Sequence, residues 1–129
     1  MSYKYVLDSF AWVEYFRGSK KGEVVRGCLE EGNCITPTIV LAELSDVYGR
    51  EKNRFWERDL EFIISKTTLV DLTQEIASNA GKIKNDIRKE QQPTFGLADA
   101  IVLATARKLG AKVLTGDQHF KKISDAMLI

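Results

Sequence analysis

Residues 3–17 read YKYVLDSFAWVEYFR, and inside this stretch a strand gives way to a helix at an acid. The apolar start predicts a buried strand, and 9–17 predicts a helix with Asp8 or Ser9 as its N-cap and Gly18 after its end. A carboxylate at the end of a buried strand needs a partner, because leaving it unpaired costs several kcal/mol or forces it to take up a proton. Capping the helix is one role for Asp8, and binding a cation is the other.

The rest of the chain repeats this alternation of apolar strands and helices. Thr38, after Pro37, and Thr73 are candidate N-caps, and Gly110 is a candidate C-cap. Such alternation predicts an α/β fold with a parallel sheet of about four to five strands, flanked by helices in three layers, formed by one domain over 1–129. The predicted strands are 3–8, 34–36, 68–72, 113–115 and 127–129, and the predicted helices are 9–17, 21–31, 38–50, 53–65, 73–90 and 97–109.

Three further acids stand in apolar surroundings. Glu43 lies within the sequence IVLAEL, Asp99 lies within LADAIV, and Asp117 follows a strand through the turn residue Gly116. In a parallel sheet covered by helices, ligands bind beyond the carboxyl ends of the strands, where residues distant in sequence meet. We therefore expect these three acids and Asp8 to converge at one edge of the sheet. Asp99 lies near the N-terminus of the helix predicted over 97–109, and the partial positive charge of a helix N-terminus favours a negative charge there.

Four gathered carboxylates predict a divalent cation. Oxygen ligands without histidine or cysteine favour Mg²⁺ or Mn²⁺ over zinc. Such an ion activates a water for in-line attack on phosphorus and neutralises charge on the leaving oxygen. The acidic set therefore indicates hydrolysis of a phosphodiester.

The composition is that of a globular protein without a strong electrostatic bias. Of 129 residues, 44% are hydrophobic and 29% are charged, and the net charge is +1, which argues against disorder and against a global attraction to nucleic acid. Setting the four acids aside leaves a basic surface. Cys28 and Cys34 lack CxxC spacing, so we expect reduced thiols of a cytoplasmic protein. No apolar run approaches about 18 residues, so we expect no membrane span, and residues 1–4 do not begin a signal peptide.

The acidic motifs also carry a family resemblance. Asp8 in LDS, the isolated Glu43, Asp99 in LADA and Asp117 in LTGD resemble, in order and spacing, the motifs of PIN-domain nucleases, and DSFAWVEYF resembles the opening of VapC-type toxins of prokaryotic toxin–antitoxin pairs. The resemblance covers essentially the whole chain. It implies a PIN-like sandwich, Mg²⁺- or Mn²⁺-dependent endoribonuclease activity on a cellular RNA, the four acids as catalytic and metal-binding residues, and a small antitoxin partner. Where some members carry a further acid this chain has Thr115, whose hydroxyl would support the site.

Several polar residues have both a structural and a functional interpretation. Ser9 and Thr115 are supporting residues of the site, or simply a helix cap and a strand end. The lone histidine, His119, fits a turn or a phosphate-facing position better than a general base. Basic side chains that either contact RNA phosphates or remain solvated are Arg17, Lys20, Lys21, Lys52, Arg54 and Arg58.

Aromatic residues predict two further surfaces. Trp12, Tyr15 and Phe16 belong either to the core or to a groove for an apolar segment of the antitoxin. The second set lies in the helices predicted over 38–65 and is more aromatic surface than one small domain readily covers, which predicts a homodimer. This set consists of Phe55, Trp56 and Phe62.

Three classes of function compete. The first is a metal-dependent ribonuclease, either a toxin or a stand-alone RNA-processing enzyme. The second is a phosphatase or phosphoacceptor domain built on the same kind of sheet. A phosphatase of the haloacid dehalogenase type would need a second acid two residues after Asp8, where Phe10 stands. The third is a PIN-like module that binds RNA or a partner without cutting, which should lack at least one of the four acids, and none is missing.

Overall fold

A computed structural model describes residues 2–129, and Met1, the first residue of the predicted domain, lies outside the described residues. Helices and strands alternate along the chain, and a short 3₁₀ helix, Gln118–Phe120, follows the fourth strand. The strands are β1 (Tyr5–Leu7), β2 (Cys34–Pro37), β3 (Thr68–Val70), β4 (Lys112–Thr115) and β5 (Ala126–Leu128), and the helices are α1 (Ser9–Arg17), α2 (Lys20–Glu31), α3 (Thr38–Arg50), α4 (Trp56–Lys66), α5 (Gln74–Glu90) and α6 (Leu97–Leu109).

The five strands form one parallel sheet in the order β3-β2-β1-β4-β5, which confirms the predicted α/β class. The chain builds the sheet outward from β1 on one side and then returns to add β4 on the other side. Val6 and Leu7 of the central strand are fully buried. Because the order reverses between β1 and β4, a crevice is expected at their carboxyl ends, where sheets of this kind bind ligands.

Most of the predicted boundaries hold, and the exceptions have local causes. Thr38 is the first residue of α3 rather than its cap, because Pro37 takes the cap position and makes no side-chain cap bond. The helix α4 begins later than predicted because Asn53 forms a turn: its Oδ1 accepts a hydrogen bond from Phe55 N–H at 2.9 Å. Lys52, just before this turn, has a left-handed φ of 53°. The 3₁₀ helix after β4 was not predicted.

Trp12 belongs to the core, and its prediction as part of a partner groove is wrong. The side chain is fully buried, and its indole N–H donates to Thr36 Oγ1 at 3.1 Å. Its ring stacks on Phe16 with the ring centroids 5.5 Å apart. A tryptophan with a partner for its N–H can be buried without penalty. Tyr15 and Phe16 are only half-buried, so they remain at the surface.

The aromatic surface predicted to drive dimer formation is largely covered within the chain. Trp56 packs on Tyr48 and Phe62 stacks on Tyr15, with centroid separations of 5.2 and 5.3 Å. Phe55 is 40% exposed and is the member of the set that stays open. The premise of a broad uncovered aromatic face is therefore wrong for Trp56 and Phe62.

The two cysteines are buried free thiols. Within residues 2–129, no helix combines the length and the apolar character that crossing a membrane requires.

The first two helices pack closely because α2 carries a glycine at their contact. A Cβ on Gly22 would lie 2.2 Å from the backbone oxygen of Glu14 and 3.1 Å from Cα of Tyr15. Backbone atoms cannot swing aside as a flexible side chain can, so a side chain here would force the helices apart. Gly27, in the same helix, has open space around its Cα.

We predict that Gly22→Ala lowers the free energy of unfolding by about 2 kcal/mol or more, because overpacking a close contact costs that much. The matched control Gly27→Ala should be neutral or stabilising by about 0.5–1 kcal/mol, since alanine loses less backbone entropy than glycine in a helix. Urea unfolding of both variants measures the difference. Equal stabilities would contradict the close approach of the two helices.

Candidate metal centre

Asp8 lies directly after β1, at the point where the order of the sheet reverses. Its Oδ1 accepts a hydrogen bond from the Ala11 N–H at 2.9 Å and so caps α1, yet the residue is only 6% exposed. Burial raises the pKa of Asp8 to about 7. Hydrogen bonds from Thr115 and Ala11 oppose this rise, and the negative charges of Asp99 and Asp117 add to it. Capping therefore gives Asp8 a structural role without accounting for its charge.

Asp99 and Asp117 approach the same place from two other elements. Asp99 stands in the first turn of α6, and burial together with the charge of Asp117 raises its pKa. Asp117 follows β4, and its backbone N–H donates to Thr115 Oγ1 at 3.0 Å. Because Thr115 is fully buried, its hydroxyl fixes the direction in which the chain leaves the strand.

His119 lies between these two acids, which the sequence did not predict. Its Nδ1 is 3.5 Å from Oδ2 of Asp99 and 3.2 Å from Oδ1 of Asp117, while Nε2 is 3.1 Å from Thr94 Oγ1. One ligand atom from each of the histidine and the two acids lies within 4.8 Å of the others. The available signal was the spacing of two residues from Asp117, but the contacts with Asp99 and Thr94 depend on the fold.

Glu43 joins the set from the second turn of α3. Burial raises the pKa of Glu43, and the charges of Asp99 and Asp117 raise it further. A hydrogen bond with the Ser9 side chain favours its charged form. The charges of Asp99 and Asp117 therefore act on both Glu43 and Asp8. The ligand atoms that lie within 4.8 Å of one another belong to Asp99, Asp117 and His119, and this group does not include Asp8 or Glu43.

Within the described part of the chain, these carboxylates lack a lysine or arginine partner, and the basic group that contacts Asp99 and Asp117 is His119. Among residues 2–129, no lysine or arginine forms an ion pair with any of the four. Asp59 shows the usual arrangement: it is 4% exposed, and its oxygens contact the Tyr48 hydroxyl at 2.5 Å and Arg58 Nε at 3.0 Å. Asp99 and Asp117, with His119 beside them, thus form the group that could hold a metal ion, and their charges also act on Asp8 and Glu43.

The predicted RNA-binding cations lie on different parts of the surface. Lys20 and Lys21 are in the first turn of α2. Arg17 ends α1, which places it about 12 Å along the helix axis from the capped end. Lys52 and Arg54 follow the C-terminal end of α3, whereas the acid of that helix is near its start. The structure therefore leaves Arg17, Lys52 and Arg54 away from the acids.

Comparisons with known proteins concern nearly the whole chain. A family model described as PIN domain matches residues 5–126. No curated protein matches the sequence. Among solved structures, a toxin–antitoxin complex from Klebsiella pneumoniae is similar with a TM-score of 0.75 and 18% identity, covering 96% of each chain. DNA-bound VapBC from Salmonella typhimurium has a TM-score of 0.71 and 23% identity, covering 98% of this chain and 97% of that one. VapC20 of Mycobacterium tuberculosis, described as a Sarcin-Ricin loop cleaving toxin, has a TM-score of 0.74 and 16% identity. The match covers 94% of this chain and 95% of that one.

We predict that Asp8→Asn stabilises the metal-free protein at neutral pH and flattens its pH dependence. The pKa of Asp8 rises from 3.8 to about 7 on folding. Between these values the folded protein holds a proton that the unfolded chain has released, so the free energy of unfolding falls as the pH rises through this window. The amide removes the titration and keeps the capping oxygen.

Urea unfolding in EDTA at about pH 5 and about pH 8 tests this. The wild type should lose stability between the two, and Asp8→Asn should lose clearly less. Asp71→Asn, at an exposed acid outside the site, should behave as the wild type does. Identical pH slopes for the wild type and Asp8→Asn would count against an uncompensated charge at Asp8.

Proposed function

The chain belongs to the PIN-domain family, and on that premise we propose that it is a Mg²⁺- or Mn²⁺-dependent endoribonuclease, the toxin of a type II toxin–antitoxin pair acting in the cytoplasm. The observation that carries this proposal is the group of four acids without a lysine or arginine partner, at the crevice where the sheet order reverses. A fold that gathers negative charge there loses stability unless a cation binds. Nuclease chemistry uses such a cation.

The residues present fit a divalent ion. When bound, it supplies charge neutralisation at phosphorus and an activated water. The chain's own residues set the geometry: Thr115 orients the main chain at Asp117, and His119, held at Nε2 by Thr94, faces two of the acids. The residues that would hold the ion are Asp8, Glu43, Asp99 and Asp117.

RNA is the proposed substrate, and the basic start of α2 supports it. An acidic crevice alone repels a phosphate backbone, so positive side chains near it must position the substrate. Lys20 and Lys21 occupy the first turn of α2, and Nζ of Lys21 lies 5.3 Å from the ring centroid of Phe10, two residues after Asp8. Cleavage of an RNA by VapC20, a structurally similar protein, is consistent with this substrate class.

The antitoxin is proposed to bind this chain at a depression between α1, α2 and α4. The depression, of about 240 Å³, is lined by three apolar or aromatic residues and three charged ones: Tyr15, Leu29, Phe62, Arg26, Glu30 and Lys66. Half-buried aromatic rings beside charged side chains are typical of protein interfaces. Complexes of similar proteins with antitoxins support a partner of this kind. An antitoxin arginine or lysine that reached the four acids would block the metal site.

A homodimer is also proposed, on a smaller surface than the sequence predicted. Phe55 is exposed, and the guanidinium carbon of Arg58 lies 4.1 Å from its ring centroid. Together with Val47 and Tyr48, these residues line a cavity of about 210 Å³. This exposed face is the candidate contact between two copies.

We predict that Asp99→Asn lowers RNA cleavage by about a hundredfold or more, because it removes a charged metal ligand without creating a cavity. Wild-type cleavage of a labelled single-stranded RNA should require Mg²⁺ or Mn²⁺ and stop in EDTA. Asp71→Asn is the matched control and should cleave as the wild type does. Full activity of the wild type in EDTA would contradict the metal mechanism.

A melting experiment separates this loss from misfolding. Mn²⁺ at about 100 times its dissociation constant should stabilise the wild type by about 2.7 kcal/mol, which corresponds to a rise in Tm of about 8 °C. Asp99→Asn should fold, as shown by its melt without metal, and gain much less from Mn²⁺. An equal gain for both proteins would exclude Asp99 from the site.

Expression in a bacterial host tests the toxin assignment. We predict that the protein slows growth when expressed alone and that co-expression of the small reading frame beside its gene relieves the arrest. Tyr15→Ala should weaken this relief and leave nuclease activity in place, because Tyr15 lines the depression and not the metal site. Harmless expression of a verified active nuclease would leave a general RNA-processing enzyme instead.

A further inference from the structure

Phe10 stands at the rim of the metal centre and rests on the main chain that carries one of its acids. It lies in the first turn of α1, two residues after Asp8, and it is half-buried. A Cβ on Gly116 would lie 2.1 Å from Cε1 of the Phe10 ring. The ring therefore touches the backbone between Thr115 and Asp117, and only a glycine at position 116 leaves room for it.

A lysine completes this arrangement. Nζ of Lys21 lies 5.3 Å from the centroid of the Phe10 ring, and the lysine itself is exposed. The close packing of α1 on α2 at Gly22 brings the lysine to this position. An aromatic ring and an exposed cation thus lie together beside the centre proposed to cut a phosphodiester.

Phe10 differs from the aromatic residues that only fill the core. Phe95 and Phe120 pack on each other with centroids 5.4 Å apart and are 0% and 1% exposed. Phe10 is only half-buried and lies two residues after Asp8, and its exposed apolar surface is not stabilised by contact with water. A nucleobase is a flat apolar partner that could cover it.

We propose that Phe10 is a stacking platform for an unpaired base of the RNA next to the scissile phosphate, and that Lys21 pairs with the adjoining phosphate. This inference rests on the proposed ribonuclease function and adds the two residues that would position the RNA beside the cut. Bases in a duplex are already stacked on one another and cannot lie on a side chain, whereas a loop or an end presents a free face. The lysine ammonium over the ring contributes little at an exposed site, so exchanging the ring for a phosphate costs little.

Binding of a fluorescent single-stranded RNA, measured by anisotropy in EDTA, tests the platform without any cleavage. Phe10→Leu should weaken binding by about tenfold, and Phe10→Tyr, which keeps the ring, should bind about as the wild type does. A duplex of the same sequence should bind the wild type weakly, with no further loss in Phe10→Leu. Equal affinities of Phe10→Leu and the wild type for the single strand would overturn the proposal.

Lys21 provides a second variant that leaves the packing on Gly116 untouched. Lys21→Ala should weaken single-strand binding and reduce its salt dependence by about one ion contact. The matched control is Lys112→Ala, at the amino end of β4 and therefore at the end of the strands opposite to the metal centre. It should change neither the affinity for the single strand nor its salt dependence. Indistinguishable behaviour of the two lysine variants would overturn the role of Lys21.

Cleavage gives an independent readout once the cut position has been mapped. On an intact single strand, Phe10→Leu should raise KM more than it lowers kcat. On a substrate with an abasic nucleotide beside the cut, kcat/KM of the wild type should fall to that of Phe10→Leu. The kcat/KM of Phe10→Leu should be the same on this substrate as on the intact strand. If Phe10→Leu lowered kcat/KM relative to the wild type by the same factor on both substrates, stacking would be overturned. Failure of the wild type to cut any RNA with metal would instead reject the proposed function, while the binding results still decide whether the ring holds a base.

Discussion

Burial of carboxylates without a lysine or arginine partner is the constraint on which this structure depends. Burial already disfavours the charge of Asp8, and the neighbouring acids disfavour it again, so the folded protein gives up stability at this one place. The apolar sheet beneath the site must supply the stability that the site removes, and the fully buried side chains of the central strand are consistent with this. Asp59, equally buried but paired with Tyr48 and Arg58, shows that the chain can neutralise an acid where its charge has no further use.

Backbone geometry holds the repelling groups in place. Asp8 accepts a hydrogen bond from the start of α1, Asp99 lies in the first turn of α6, and Asp117 caps the 3₁₀ helix by accepting from His119 N–H at 2.8 Å. Each helix terminus favours a negative charge, so the same feature that fixes a carboxylate also offsets part of its repulsion. Glycines at 22 and 116 then allow α2 and Phe10 to approach the site. The fold thus places a rigid anionic centre beside a more exposed ring and cation.

Local patterns predicted the elements of the fold and the four acids, and long-range contacts decided the rest. The bounds of α1 and α6 follow from periodicity and from Gly18 and Gly110, both of which have the left-handed φ of a helix C-cap. Strand order, the position of His119 between two acids and the contact of Phe10 with Gly116 join residues far apart in sequence, so no local pattern carries them. The burial of Trp12, in α1, depends likewise on Thr36, a partner in strand β2.

Calorimetric titration of the protein with Mn²⁺ in buffers of different ionisation enthalpy tests the central claim most directly, because it counts both ions bound and protons released. If the four acids form an uncompensated cation site, binding at about pH 6 should displace a proton, since the pKa of Asp8 is raised to about 7, and at about pH 8.5 it should displace clearly less. Saturable binding with this pH-dependent proton release is the predicted result. Absence of saturable binding, or binding with no proton release at either pH, would contradict the account.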